Sequence, residues 1–161
     1  MQNGKTLFSS QSAEWYTPQT VIKRVREVFG GWIDLDPCSN SKTEPNVPAR
    51  GYYTKQDDGL SKPWTGKVYM NPPYGSEIGK WVAKLLSEYE VGKVTEAIGL
   101  VPARTETKWF KPLYTFPICF VSGRLKFSGA KSSAPFPSAI VYLGPNIEAF
   151  IAGFTSMGNI C

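Results

Sequence analysis

Val68-Tyr69-Met70-Asn71-Pro72-Pro73-Tyr74-Gly75 is the stretch on which the reading of this chain turns. A short apolar strand candidate ends at Met70, and an asparagine, two prolines and a tyrosine follow at once. Consecutive prolines hold φ near about −65° and remove two N–H donors. The chain leaving the strand is therefore stiff and presents carbonyl oxygens without competing amide hydrogens. Asn71 adds a side-chain carbonyl, and Tyr74 adds a flat face. Two acceptors beside an aromatic ring suit a planar group carrying –NH2, such as a nucleobase amine or a carboxamide. Taken alone, the same residues also describe a Pro-rich turn after an edge strand.

Working outward, further apolar runs read as strands: Trp32–Asp36 ended by Pro37, Ala97–Val101 ended by Pro102, Ile118–Val121, and Ala139–Leu143. Thr17-Pro18 opens a helix, with Thr17 able to cap and Pro18 suited to the first helical position. Val21, Val25, Val28 and Phe29 form its apolar stripe, and Gly30-Gly31 stops it. Ser76 is expected to cap a second helix to about Glu90, burying Ile78, Trp81, Val82, Leu85, Leu86 and Tyr89. Thr105 is expected to cap a short helix through about Tyr114. Residues 38–66 read as mostly irregular, with a short element near Tyr52-Tyr53. Residues 122–137, rich in Gly, Ser, Lys and Pro, read as an exposed loop or hairpin.

Strands alternating with helices imply an α/β domain with a largely parallel sheet. Ligands of such sheets bind beyond the carboxyl ends of the strands. Three strand ends carry notable chemistry: Asp36-Pro37, Asn71–Tyr74 and Pro102-Ala103-Arg104. All three are expected to open onto one edge.

The 161 residues suit one domain, read as 13–161 after a loose polar tail over 1–12. Apolar content of 42% and aromatic content of 14% are those of a globular protein. The net charge of +5 favours a polyanionic partner without identifying it. Histidine is absent, which excludes His-based triads, His-ligated zinc and His general bases. The three cysteines, Cys38, Cys119 and Cys161, have no metal-ligand spacing, and an odd number argues against a disulfide framework. No metal site is expected. With no signal-peptide pattern and no membrane-length apolar run, the expected location is the cytoplasm, that of the host if a phage or prophage encodes the chain.

Together these residues resemble an amino-methyltransferase that uses S-adenosylmethionine, and more closely the phage-type Dam family of DNA N6-adenine methyltransferases. The likeness is carried by Glu14-Trp15-Tyr16-Thr17-Pro18, Asp34-Leu35-Asp36-Pro37-Cys38, and Asn71–Gly75 with Trp81. Asp58-Gly59-Leu60 with Trp64, Val101-Pro102-Ala103-Arg104 and Gly123-Arg124-Leu125-Lys126-Phe127 extend it over roughly residues 14–143. The fold it implies is α/β and Rossmann-like, with mostly parallel strands and helices on both faces. Cys38-Ser39-Asn40 stands where many such enzymes have a Gly-rich loop. Only 35 positions separate Asp36 from Asn71, too few for two full βα units, so a trimmed, compact sheet is expected.

The resemblance implies methyl transfer from S-adenosylmethionine to adenine N6 in double-stranded DNA, with Asn71, Pro72, Pro73 and Tyr74 catalytic. It implies cofactor contacts from Tyr16, Thr17, Pro18, Asp36, Pro37, Asp58 and Asn71, Asp57 being the rival of Asp58. Arg104, Arg124, Lys126 and Lys131 are candidates for DNA phosphates. Phe127 and Phe136 are wedges, stacking platforms or loop anchors. Trp15, Trp64 and Trp81 read as packing, Trp81 as core. Pro37-Cys38 looks like the nucleophilic pair of cytosine-C5 methyltransferases, but Asp36 would raise that thiol's pKa, and covalent attack has no use for Asn-Pro-Pro-Tyr. RNA adenine, a protein glutamine amide, and a catalytically silent nucleic-acid-binding role remain open. The target sequence and oligomeric state are not legible.

Overall fold

In the computed structural model of the protein, residues 15–161 are described; the tail expected over 1–12 lies outside them. Helix α1 spans Gln19–Val28, with Val21, Ile22, Val25 and Val28 buried. The N-cap is Pro18, which makes no side-chain cap bond, so Thr17 does not take the capping role expected of it and Pro18 stands one position before the first helical residue. The helix stops at Gly30 and Gly31, whose φ values of 85° and 121° a side chain would resist.

Seven strands follow: β1 Leu35–Asp36, β2 Gly51–Tyr52, β3 Gly66–Met70, β4 Val94–Pro102, β5 Ile118–Val121, β6 Ser138–Leu143 and β7 Gly158–Ile160. They form one sheet in the order β2-β1-β3-β4-β6-β5-β7. The β2, β1, β3 and β4 strands are mutually parallel. From β4 onward each pairing is antiparallel, so the expectation of a mostly parallel sheet holds for the first half only. The chain is trimmed as the short Asp36–Asn71 interval requires: β1 and β2 have two residues each, and only the 3-10 turns Lys55–Asp57 and Gly59–Ser61 stand between β2 and β3.

Alternation along the strands builds two cores. Tyr69, Ile98, Leu100, Ile140 and Tyr142 face α1 and α3, the latter being Ile147–Phe154. Val68, Met70, Ala97, Val101 and Val141 face α2, which is Ile78–Glu90. Helices thus cover both faces, as expected. Ser76 does not cap α2, whose N-cap is Glu77 without a side-chain bond. Of its expected apolar stripe, Ile78, Val82 and Leu85 are buried, whereas Trp81, Leu86 and Tyr89 are half-buried. No α-helix forms over residues 105–114; the segment makes a 3-10 helix at Lys111–Thr115. Pro112 would fall in the interior of the expected helix and remove an N–H that an α-helix needs there, but it is tolerated in the first turn of this one. No helix among the described residues is long and apolar enough to cross a membrane.

Since β5 is antiparallel to β6, and β6 to β4, β5 runs with β1, β3 and β4. The carboxyl ends of these strands meet at one edge. Asp36, Asn71, Arg104 and the 122–137 loop are therefore neighbours in topology, although up to a hundred positions divide them in sequence.

Candidate active site

A cleft of about 480 Å³ opens at this edge, beyond β1 and β3. That is the size of a small-molecule site. Its walls come from five places: Trp15, Tyr16 and Thr17; the turn from Asp36 to Asn40; Asn46 and Val47; the turn from Thr54 to Gly59; and Asn71, Pro72 and Pro73 with Trp81 of α2. Tyr16, Thr17, Asp36, Pro37, Asp58, Asn71, Pro72 and Pro73 thus share one cleft. Pro18 and Tyr74 do not line it.

Asp36 ends β1 and is buried. The Cys38 N–H donates to its Oδ1 at 2.9 Å, yet desolvation outweighs that bond and pushes the carboxyl up to about 7. No cationic side chain pairs with it among the described residues. Asp34, two positions earlier, is committed to the frame: its carboxylate accepts from Lys67 N at 2.9 Å and from Trp32 Nε1 at 3.1 Å. Burial and the Asp36 charge raise the Cys38 thiol, which opposes a nucleophilic thiolate.

The two neighbouring acids of the Lys55–Ser61 turns divide their work. Asp57 accepts from Thr54 N at 2.8 Å and Thr54 Oγ1 at 3.0 Å, and pairs with Lys42 at 3.0 Å. Those bonds hold its carboxyl down at about 2. Asp58 is left-handed, at φ 57°, and it alone of the two lines the cleft. Trp64 is wholly buried, its Nε1 donating to Gly59 O at 2.9 Å, and Trp81 stacks on it at 6.0 Å. Trp81 is thus a cleft wall rather than the core residue its helical position suggested.

Asn71 sits where β3 stops. Its Nδ2 donates to the Trp15 carbonyl at 2.5 Å and to Thr17 Oγ1 at 3.2 Å. A carbonyl can only accept, so the amide nitrogen must face Trp15. Oδ1 is thereby turned away and is buried without a hydrogen-bond partner among the described residues. Such an orphan acceptor is costly and rare in a folded protein.

Tyr74 is half-buried, its hydroxyl donating to Leu100 O at 3.3 Å. Its ring meets Phe136 and Phe127 edge-on, with centroids 5.4 and 6.3 Å apart. Trp15 meets the same two phenylalanines at 5.3 and 5.4 Å. Phe127 and Phe136 therefore anchor the 122–137 loop. The Ser128 N–H donates to Tyr16 O at 2.9 Å and its hydroxyl to Thr17 O at 3.1 Å, tying the loop to the cleft's first wall.

Arg104, Arg124, Lys126 and Lys131 are all exposed. Lys108 and Lys111, missed in the sequence, are exposed beside Arg104. Residues 104–131 carry six basic side chains and one acidic one, a surplus of five that equals that of the whole chain. None of the six is ion-paired among the described residues. Charge counting over that window would have found the two lysines. No group of His, Cys, Asp or Glu able to hold a metal ion occurs among the described residues.

Comparison with known proteins bears on this site. No curated protein matches the chain. A family model, DNA N-6-adenine-methyltransferase (Dam), matches residues 4–142, an interval that takes in the cleft, the Asn71–Tyr74 turn and the basic loops. The chain belongs to the DNA N-6-adenine-methyltransferase (Dam) family.

Proposed function

We propose that the protein transfers the methyl group of S-adenosylmethionine to the N6 amine of an adenine extruded from double-stranded DNA, on a Rossmann-like methyltransferase fold. The observation that carries this is Asn71 Oδ1, a buried acceptor without a partner among the described residues, at the edge of a cleft of cofactor size. An acceptor held empty at a cost suits a ligand that brings an N–H.

The cleft residues fit the cofactor. Asp36 is a buried carboxylate with no cation paired to it among the described residues, and the methionine end supplies an ammonium. Asp58 offers an acceptor for the adenine amine, while Tyr16, Thr17 and Pro37 frame the approach. When bound, the cofactor supplies an electrophilic methyl on a sulfonium.

The target amine is a poor nucleophile because its lone pair is delocalised into the ring. Asn71 Oδ1 and the Pro72 carbonyl accept its two hydrogens and draw the nitrogen towards tetrahedral geometry. Pro73 stiffens the turn that holds both acceptors. Most of the acceleration is then positional, with an electrostatic contribution from acceptor dipoles facing the charge that develops on nitrogen. Tyr74 stacks on the base, which must leave the duplex to react. Arg104, Arg124, Lys126 and Lys131, with Lys108 and Lys111, contact phosphates.

The test is to incubate the protein with methyl-labelled S-adenosylmethionine and unmethylated DNA containing GATC among other sites, then digest to nucleosides. Label recovered as N6-methyladenine, and lost in Asn71→Ala with cofactor binding retained, is the expected result. Label in another nucleoside keeps the site and changes the substrate. Cofactor binding without label on any DNA would turn attention to RNA adenine, a glutamine amide or a silent binding protein.

A further inference from the structure

We propose that Tyr69 is a positioning residue: through Thr17 it reinforces the amide orientation that the Trp15 carbonyl imposes on Asn71, and so helps keep Asn71 Oδ1 free for the target amine. The inference rests on the reading of Asn71 as the acceptor of that amine. Nothing in the Asn-Pro-Pro-Tyr turn itself chooses between the two amide orientations, which differ by a half-turn about one bond. The choice is made by what surrounds the group.

Tyr69 and Asn71 are two positions apart, and side chains at that spacing leave a strand on the same face. Tyr69 is buried against the core on the α1 side of the sheet. Its hydroxyl lies 2.7 Å from Thr17 Oγ1, and Thr17 is buried too. A hydroxyl has one hydrogen and two lone pairs. Thr17 Oγ1 accepts from Asn71 Nδ2 at 3.2 Å. In the proposed arrangement Thr17 donates its own hydrogen to the Tyr69 hydroxyl, although either oxygen of that pair is able to donate. With that hydrogen used, Thr17 has only lone pairs to offer the amide and repels its oxygen end. The Trp15 carbonyl does the same from a second direction. Burial also raises the phenol far above the working range, so Tyr69 remains a neutral hydrogen-bonding group and takes no part in proton transfer.

The rest of the frame is tied down. The Thr17 carbonyl accepts from Asn46 Nδ2 at 3.0 Å and from Ser128 Oγ at 3.1 Å, which holds the Thr17 backbone from two loops. Tyr69 is therefore the member of the set whose hydroxyl has no second bonded partner among the described residues and whose removal leaves the backbone clamps in place.

Tyr69→Phe, Thr17→Val, Thr17→Ser and Asn71→Ala would be compared by kcat at saturating cofactor and DNA, by cofactor affinity in calorimetry, by Tm, and by the 15N side-chain amide resonances of ligand-free Asn71. Tyr69→Phe should lower kcat about 10- to 100-fold while cofactor affinity stays within about twofold, because only the amide's placement is lost. The Asn71 amide pair should shift and exchange faster with water. Thr17→Val should lower kcat and shift the Asn71 resonances in the same way, and Thr17→Ser should restore both readouts. A Tyr69→Phe protein that keeps kcat and the resonances, beside an inactive Asn71→Ala, overturns this role and leaves the proposed function standing. A lower Tm with the resonances unmoved assigns Tyr69 to packing. An active Asn71→Ala removes the reading beneath it. Should Tyr69→Phe not fold, equal kcat in Thr17→Val and Thr17→Ser overturns the proposal.

Discussion

The Cys38 N–H donates to Asp36 Oδ1 at 2.9 Å, and among the described residues no cationic side chain stands beside that carboxylate. One backbone bond does not offset the loss of hydration, so the group is poised to recruit a cation or to hold a proton.

The sign of its pH dependence follows. Folded Asp36 titrates at about 7 against an ordinary 3.8, so between those values the ligand-free folded protein holds a proton that the unfolded chain has released. Stability from this group is greatest below the lower value and declines as pH rises towards the upper one, by up to about 1.4 kcal/mol per pH unit. Asp36→Asn should flatten that decline in thermal melts. Pairing with an ammonium needs the ionised form, so cofactor affinity should rise with pH up to about 7 and then level off. The asparagine variant should bind about 10- to 100-fold more weakly above that point, with little pH dependence. Wild-type melts that do not change across the window would remove the basis for both expectations.

Asp57 and Asp58 should separate cleanly when each is changed to asparagine, which tolerates the left-handed backbone at Asp58. Asp57→Asn loses the ion pair with Lys42, so Tm should fall, and the effect should fade as pH drops from 3.8 towards about 2, where the wild-type carboxyl also takes up its proton. Asp58→Asn should leave Tm in place and weaken the cofactor. Calorimetry that finds Asp57→Asn the weaker binder would reverse the assignment.

Gly59→Ala should be costly. A Cβ there would stand 2.6 Å from the Pro37 carbonyl and 3.2 Å from the Trp81 ring, and neither the backbone nor the stacked indole can withdraw freely. Overpacking of this kind destabilises by about 1–3 kcal/mol. It also shifts two cleft walls, so Tm and cofactor affinity should fall together. An affinity that survives a lowered Tm would separate the turn from the cleft.

The basic loops should be read by salt. If Arg124, Lys126 and Lys131 each meet a phosphate, replacing all three by alanine should reduce the slope of log K against log salt by about 3 and leave cofactor affinity unchanged. Lys108→Ala and Lys111→Ala should each reduce it by about 1 if the Arg104 side of the edge shares the duplex. An unaltered slope in filter binding would return these cations to the role of a solvated face.

Much of this was legible locally. The Val68–Met70 strand, its stop at Asn71-Pro72-Pro73, and the end of α1 at Gly30-Gly31 are written in φ restrictions and missing donors, which act within a few residues. The buried spacing of Ile78, Val82 and Leu85 needed only the helical period. In contrast, α3 and β7 gave no signal. Ile147–Phe154 is apolar around much of its circumference, so periodicity does not show which face meets α1. The three-residue β7 is defined only by its pairing with β5.

The candidate site divides in the same way. The residue types at Asp36, Asp58 and Asn71–Tyr74, and hence the chemistry available, were determined by the sequence alone, because a carboxylate, an amide oxygen and a proline turn keep their character in any fold. Tertiary structure decided their condition and company. It buried Asp36 with no cation paired to it among the described residues, tied Asp57 to Thr54 and Lys42, made Trp81 a wall, and drew Tyr74 among Phe127 and Phe136. By inserting antiparallel β6 between β4 and β5, it brought two basic loops to one edge. It set Thr17 against Tyr69 across 52 positions, and that bond bears on which end of Asn71 is free. Desolvation and hydrogen-bond partnership depend on neighbours distant in the chain, and only the completed packing supplies them.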